Sequence, residues 1–143
     1  MSCLYDIIND MKEDIDGMYV GSKQITARIS SLQTSEQFIK EMQAIPAEKL
    51  PAVIIVFDGA NYNPQEICLE TRLSLVVVDR FRANSDERAM SLFEVVDYLM
   101  DNFPALGKKH GITFVYPTDI QLASVDPAFS AIALGFMIKQ RSQ

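Results

Sequence analysis

Reactive side chains are scarce in this sequence. It holds one histidine, His110, and two cysteines, Cys3 and Cys68. The cysteines lie far apart and outside any CxxC pair. That excludes a disulfide framework and reads as two thiols in a reducing compartment. Cys3, Cys68 and His110 share no metal-ligand spacing. His110 stands in the turn Gly107-Lys108-Lys109-His110-Gly111 with no serine or cysteine nucleophile in context. It reads as a solvated turn residue, not a general base.

Phosphate-binding signatures are missing too. There is no GxGxxG and no GxxxxGK[ST]. Gly59-Ala60-Asn61 follows an apolar run, but it lacks the lysine and leads into Asn63-Pro64, so a turn is the better reading. Carboxylates are plentiful without forming a convincing pair. No cofactor and no catalytic residue is expected.

A basic excess is absent. Lysine and arginine number 13 against 19 aspartate and glutamate, a formal net charge of −6. Neutralising even about six to ten phosphates would take most of those cations on one face. Apart from Arg80/Arg82 and Lys108-Lys109 they are scattered, so a nucleic-acid partner is not expected. No apolar stretch approaches the ~20 residues that span a bilayer. The first turns are acidic, unlike the basic start of a signal peptide. A cytosolic protein without a membrane partner is the expectation.

What is present suits one folded domain over residues 1–143. The apolar content is 48%, and a chain of this length buries about 68–70% of its unfolded surface. Leu4, Ile7, Ile8, Met11 and Ile15 recur at helical spacing, with Gly17 as a stop. Residues Met18–Leu32 fit either period: Ile25, Ala27 and Ile29 alternate as in a strand, whereas Ile25, Ile29 and Leu32 fit one helical face. A strand is favoured. Thr34-Ser35-Glu36-Gln37 opens a second helix as a capping box, and Pro46 stops it.

Pro51–Phe57 is apolar on both faces and β-branched, as an interior strand requires. Asp58-Gly59 then reads as a turn into the loop Gly59–Ile67. In Glu70–Asp79, Leu73, Leu75 and Val77 face one way and Arg72, Ser74, Val76 and Val78 the other, which sets the register. Ser85–Phe103 is the clearest helix: Ala89, Leu92, Phe93, Val96, Leu99, Met100 and Phe103 make its stripe, and Pro104 closes it. Ile112–Val125, interrupted at Pro117, and Phe129–Lys139 read as paired strands. On the last, Ile132, Leu134, Phe136 and Ile138 share a face. The expected fold class is α+β, a mixed, largely antiparallel sheet with helices packed mainly on one face.

Two places read as contact surface. Tyr62 lies in the loop Gly59–Ile67 and suits an interface anchor, though a long hairpin loop explains it equally well. Asp79 with Arg80 and Arg82 is either a strand end reaching water or a charged contact patch.

"LPAVIIVFDG", "ETRLSLVVVDRF", "SDERAMSLFEVVDYLMDNF" and "TDIQLASVDPAFSAIALGFMI" together resemble small bacteriophage and prophage tail-assembly proteins. The similarity is to the Mu-like prophage family and, more distantly, to tail terminators of long-tailed phages. It covers roughly Leu50 to Ile138. The resemblance implies a tail terminator or tail-completion protein, a minor tail protein forming a hexameric ring. Such a ring caps the tail-tube protein and offers a new face to the head-completion or connector protein. It implies no cofactor and no enzyme activity, and a place in the bacterial cytoplasm during assembly, then in the virion tail. Tyr62, Arg80, Phe81 and Arg82 are the candidate interface residues. The alternatives are a small cytosolic α/β ligand-binding domain or enzyme, with His110, Asp119 or Cys68 beside a cleft, and a cytosolic adaptor.

Overall fold

A computed structural model describes residues 4–30, 35–65, 67–80, 92–103, 114–126 and 129–141. Helix α1 (Leu4–Ile15) leads through two short strands, β1 (Tyr19–Val20) and β2 (Lys23–Gln24), into β3 (Thr26–Ile29). Helix α2 (Ser35–Gln43) and a 3-10 turn (Ala47–Lys49) precede β4 (Ala52–Asn63) and β5 (Cys68–Arg80). Helix α3, described over 92–103, is followed by β6 (Phe114–Asp126) and β7 (Phe129–Arg141).

The five-stranded sheet has the order β3-β4-β5-β7-β6. β3 runs parallel to β4, and the other neighbours are antiparallel. The fold is therefore α+β with a mixed, largely antiparallel sheet. β1 and β2 form a separate antiparallel pair, so the favoured strand reading of Met18–Leu32 holds for 26–29, preceded by a tight hairpin. Asp16, just past α1, accepts the Ala27 N–H at 2.9 Å and covers part of the outer edge of β3.

Side-chain alternation along the strands makes two cores. On one face Val53, Ile55, Leu73, Leu75, Val77, Ile132, Leu134, Phe136 and Ile138 pack with Ile8, Met11 and Ile15 of α1 and Leu92, Val95, Val96, Leu99 and Phe103 of α3. Phe103 meets Phe136 with ring centroids 4.6 Å apart, a tilted aromatic pair. On the other face Met42 of α2 and Ile45 cover Ala52, Ile54, Val76, Val78, Phe129 and Ala131. Among the described residues two α-helices thus lie on one face and one on the other. The second core ends near Val76, because beyond it that face of β5 carries Ser74, Arg72 and Glu70.

Four sequence expectations are corrected. Phe93, expected in the apolar stripe of the third helix, is exposed, whereas Val95 is buried there. Asp58-Gly59 is not a turn: β4 passes through a bulge between Phe57 and Gly59 and stays paired with β5 as far as Asn63 and Cys68. Gly59 adopts φ +137, and Asp58 accepts a hydrogen bond from the Ser74 hydroxyl. The bulge absorbs the residue that breaks alternation, so most of the expected loop is strand. Pro117 likewise does not interrupt β6; it sits at a bulge in an outer strand, where its missing N–H is tolerated. Asp79 is not a solvated strand end: it is largely buried, 8% exposed, within the β5–β7 ladder.

Phe103 is fully buried and Phe93, on the same helix, is 51% exposed. Phe103→Ala is expected to lower the unfolding free energy by about 3–5 kcal/mol, and Phe93→Ala to change it by less than about 0.5 kcal/mol. Urea titration of both variants checks the assignment of the buried stripe.

Candidate functional site

The sheet has a covered half and an open half. β3 ends at Ile29, and the last bond across its side is Ser30 N–H to Ile55 O at 2.9 Å. From Val56 to Asn63, β4 keeps β5 on one side and, among the described residues, has no strand on the other. β6 is the opposite edge. The open half is therefore four strands wide, with the β4–β5 hairpin projecting at one end.

One face of that half is polar and ordered by its own contacts. With its amide turned to satisfy both groups, Asn61 accepts from Arg72 Nη1 at 3.0 Å and donates to Ala60 O at 3.1 Å. The absence of a side chain at Gly59 makes room for this guanidinium: a Cβ there would lie 2.6 Å from Arg72 Nη2. Asn63 donates to Glu70 Oε1 at 3.4 Å, and Lys139 Nζ lies 3.6 Å from the same oxygen. Across the sheet Asp119 accepts from Thr118 Oγ1 at 3.0 Å and from Gln121 Nε2 at 2.6 Å. Asp119 and Thr118 fold over Gly135, where a Cβ would collide with both.

Apolar side chains stand out at the rim. Tyr62 is 57% exposed, Ile67 54%, Ile120 53% and Leu122 68%. Ile67 has φ +51, a left-handed conformation that a β-branched residue adopts only at a cost. The turn leading to it is held by Asn63 Oδ1, which accepts from the Gln65 N–H at 3.0 Å.

Of the expected contact residues, Tyr62 is exposed but belongs to the end of β4, opposite Leu69. Arg80 ends β5 at the other side of the sheet, opposite Phe129. At ~3.3 Å per residue the two are roughly 36 Å apart, so they do not share a patch. Phe81 and Arg82 lie outside the described residues, as does His110. Asp119 is exposed on β6, whereas Cys68 is buried at the start of β5. Asp119 is level with Ser74 through Gly135, roughly 20 Å along β5 from Cys68. The structure thus does not bring these two into one cleft. Among the described residues no three His, Cys, Asp or Glu side chains converge as metal ligands would, and no helix is long and apolar enough to cross a membrane.

Ile67, Ile120 and Leu122 were not singled out from sequence. The period of Ile120 and Leu122 was visible, but their exposure depends on β6 being an edge. The arrangement offers unpaired strand edges, exposed apolar side chains and a fixed polar lattice, all of which suit contact with protein. The chain matches no protein-family model and no curated protein.

Both strained positions are testable. Ile67→Gly is expected to raise stability by about 1 kcal/mol, because relief of the left-handed conformation outweighs glycine's extra chain entropy. Gly59→Ala is expected to lower it by about 1–3 kcal/mol. Opposite shifts in the urea midpoint, with unchanged m-values, are the expected readout.

Proposed function

We propose that this chain is a phage or prophage tail terminator or tail-completion protein, a structural component without enzymatic activity. Copies form a ring, hexameric in the tail terminators it resembles, that caps the tail tube and links it to the head connector. Assembly takes place in the host cytoplasm, and the ring ends in the virion tail.

The observation that carries the reading is the clustering of exposed apolar side chains, Tyr62, Ile67, Ile120 and Leu122, on the rim of the open half-sheet. The segment resemblance over Leu50–Ile138 supports the same role. A ring subunit needs two unlike surfaces for head-to-tail contacts that close, and further surface for the tube below and the connector above. The hairpin tip carrying Tyr62 and the far end of β5 are well separated along the strand, which suits a subunit that meets different neighbours.

The test is mass measurement of the purified chain, followed by electron microscopy with purified tail-tube protein. Rings seated on tube ends, with tubes held to uniform length, are expected. Failure to bind tube ends or to exceed a monomer even with tube present would remove the proposal. Arg80→Glu combined with Arg82→Glu is expected to abolish assembly while leaving the far-ultraviolet circular dichroism unchanged. If assembly persists, these two residues are not contacts.

A further inference from the structure

We propose that copies of this chain join head to tail through their sheets, the outer edge of β6 in one pairing antiparallel with the free edge of β4 in the next. The register is Leu122 opposite Ala60, Gln121 opposite Asn61, Ile120 opposite Tyr62 and Asp119 opposite Asn63. The inference supplies a contact for the ring reading above and rests on that reading for closure of the assembly.

The direction of the strands comes first. β4, β5, β7 and β6 alternate in direction, so β4 and β6 run oppositely. Two copies placed side by side in the same orientation therefore bring β6 of one against β4 of the next as an antiparallel pair, and each copy retains one edge of each kind. Such an interface is heterologous and propagates around a ring.

The side chains select the register. Ile120 and Leu122 pair across to Leu134 and Ile132, so they lie on the face that carries α1 and α3. Ala60 and Tyr62 pair with Thr71 and Leu69, on that same face. Placing Leu122 on Ala60 and Ile120 on Tyr62 sets exposed apolar groups against each other across the ladder. The opposite face then pairs Gln121 with Asn61 and Asp119 with Asn63, amide with amide and carboxylate with amide, and no like charges meet. Counted through the four strands, Ala60 and Leu122 occupy the same phase of the hydrogen-bond alternation. Their outward N–H and C=O groups can therefore pair in this register.

The bulges define the length of the contact. β6 is irregular between Pro117 and Asp119 and between Leu122 and Ser124, and β4 is irregular between Phe57 and Gly59. The regular window on β6 is 119–122, and on β4 it is 59–63. Every residue from Pro117 to Leu122 is exposed, on both faces of the strand. Bulges and an edge proline ordinarily blunt a strand against open-ended pairing. Here they bracket a short window that lacks lysine and carries two large apolar side chains. Slippage by one residue would set Ile120 and Leu122 against Asn61 and Asn63, so the register is selected. The remaining edge, β3, is partly covered by Asp16, which leaves β4 and β6 as the open pair among the described residues.

Cross-linking tests this in the full chain with Cys3→Ser and Cys68→Ala as background. Adding both Ala60→Cys and Leu122→Cys is expected to give intermolecular disulfides on mild oxidation, read as a ladder in non-reducing gels. Either cysteine alone is expected to give none, as is Asn61→Cys with Leu122→Cys, whose side chains leave opposite faces. Ile120→Lys added to the productive pair is expected to abolish the ladder while circular dichroism is retained. A ladder that stops at one size supports both the contact and the ring. A ladder that continues without limit supports the contact and removes the ring. Oligomers in which Ala60→Cys and Leu122→Cys fail to cross-link, or which cross-link equally through Asn61→Cys, overturn the contact and leave the ring. A chain carrying both Ala60→Cys and Leu122→Cys that stays monomeric and yields no cross-link at any concentration overturns the contact as well.

Discussion

β5 carries hydrogen-bonded neighbours on both sides, β4 and β7, and the change in its side chains along its length governs the rest of the molecule. From Val76 to Val78 both of its faces are apolar, so both must be covered, and helices close over each. From Cys68 to Ser74 one face holds Glu70, Arg72 and Ser74. That face gains nothing from a helix, since burying unpaired charge is costly. The covered and open halves of the sheet follow from this one transition. α2 reaches only as far as Val76 and Val78 allow, while α1 and α3 build the larger core over Leu73, Leu75 and Val77.

An open half-sheet has edges, and unpaired edge strands are templates for other strands. The protein limits this by local devices. Gly59 and Pro117 sit at bulges, Asp16 caps part of β3, and the polar face is tied down by Arg72, Asn61, Asp119 and Gln121. At the open half-sheet, what stays exposed after these devices is a small set of apolar groups on the rim, Tyr62, Ile67, Ile120 and Leu122.

The helices and strands were legible where period and stops agreed. Ile8, Met11 and Ile15 face the core as their spacing predicts, and Leu73, Leu75, Val77 and Ile132 to Ile138 fall on the expected face. Asp58-Gly59 misled because the dipeptide that marks a turn also marks a bulge, and the difference lies in whether a partner strand continues beside it. Asp79 misled for a related reason: a carboxylate at a strand end is solvated only if no neighbouring strand extends past it, and β7 runs to Phe129. The candidate site was legible in part. Tyr62 is exposed as expected, but its distance from Arg80 depends on hairpin length, and that depended on the bulge.

The order of apolar and polar residues determined by itself that this chain folds as α+β, which residues form most of its larger core, and that it carries few reactive groups. Local period suffices for those, because each strand or helix must turn its apolar side away from water. Strand order, the depth of the hairpin and the identity of the two free edges were decided by tertiary structure. Those depend on which strands lie beside one another, and pairing between residues distant in the chain leaves no local period to read.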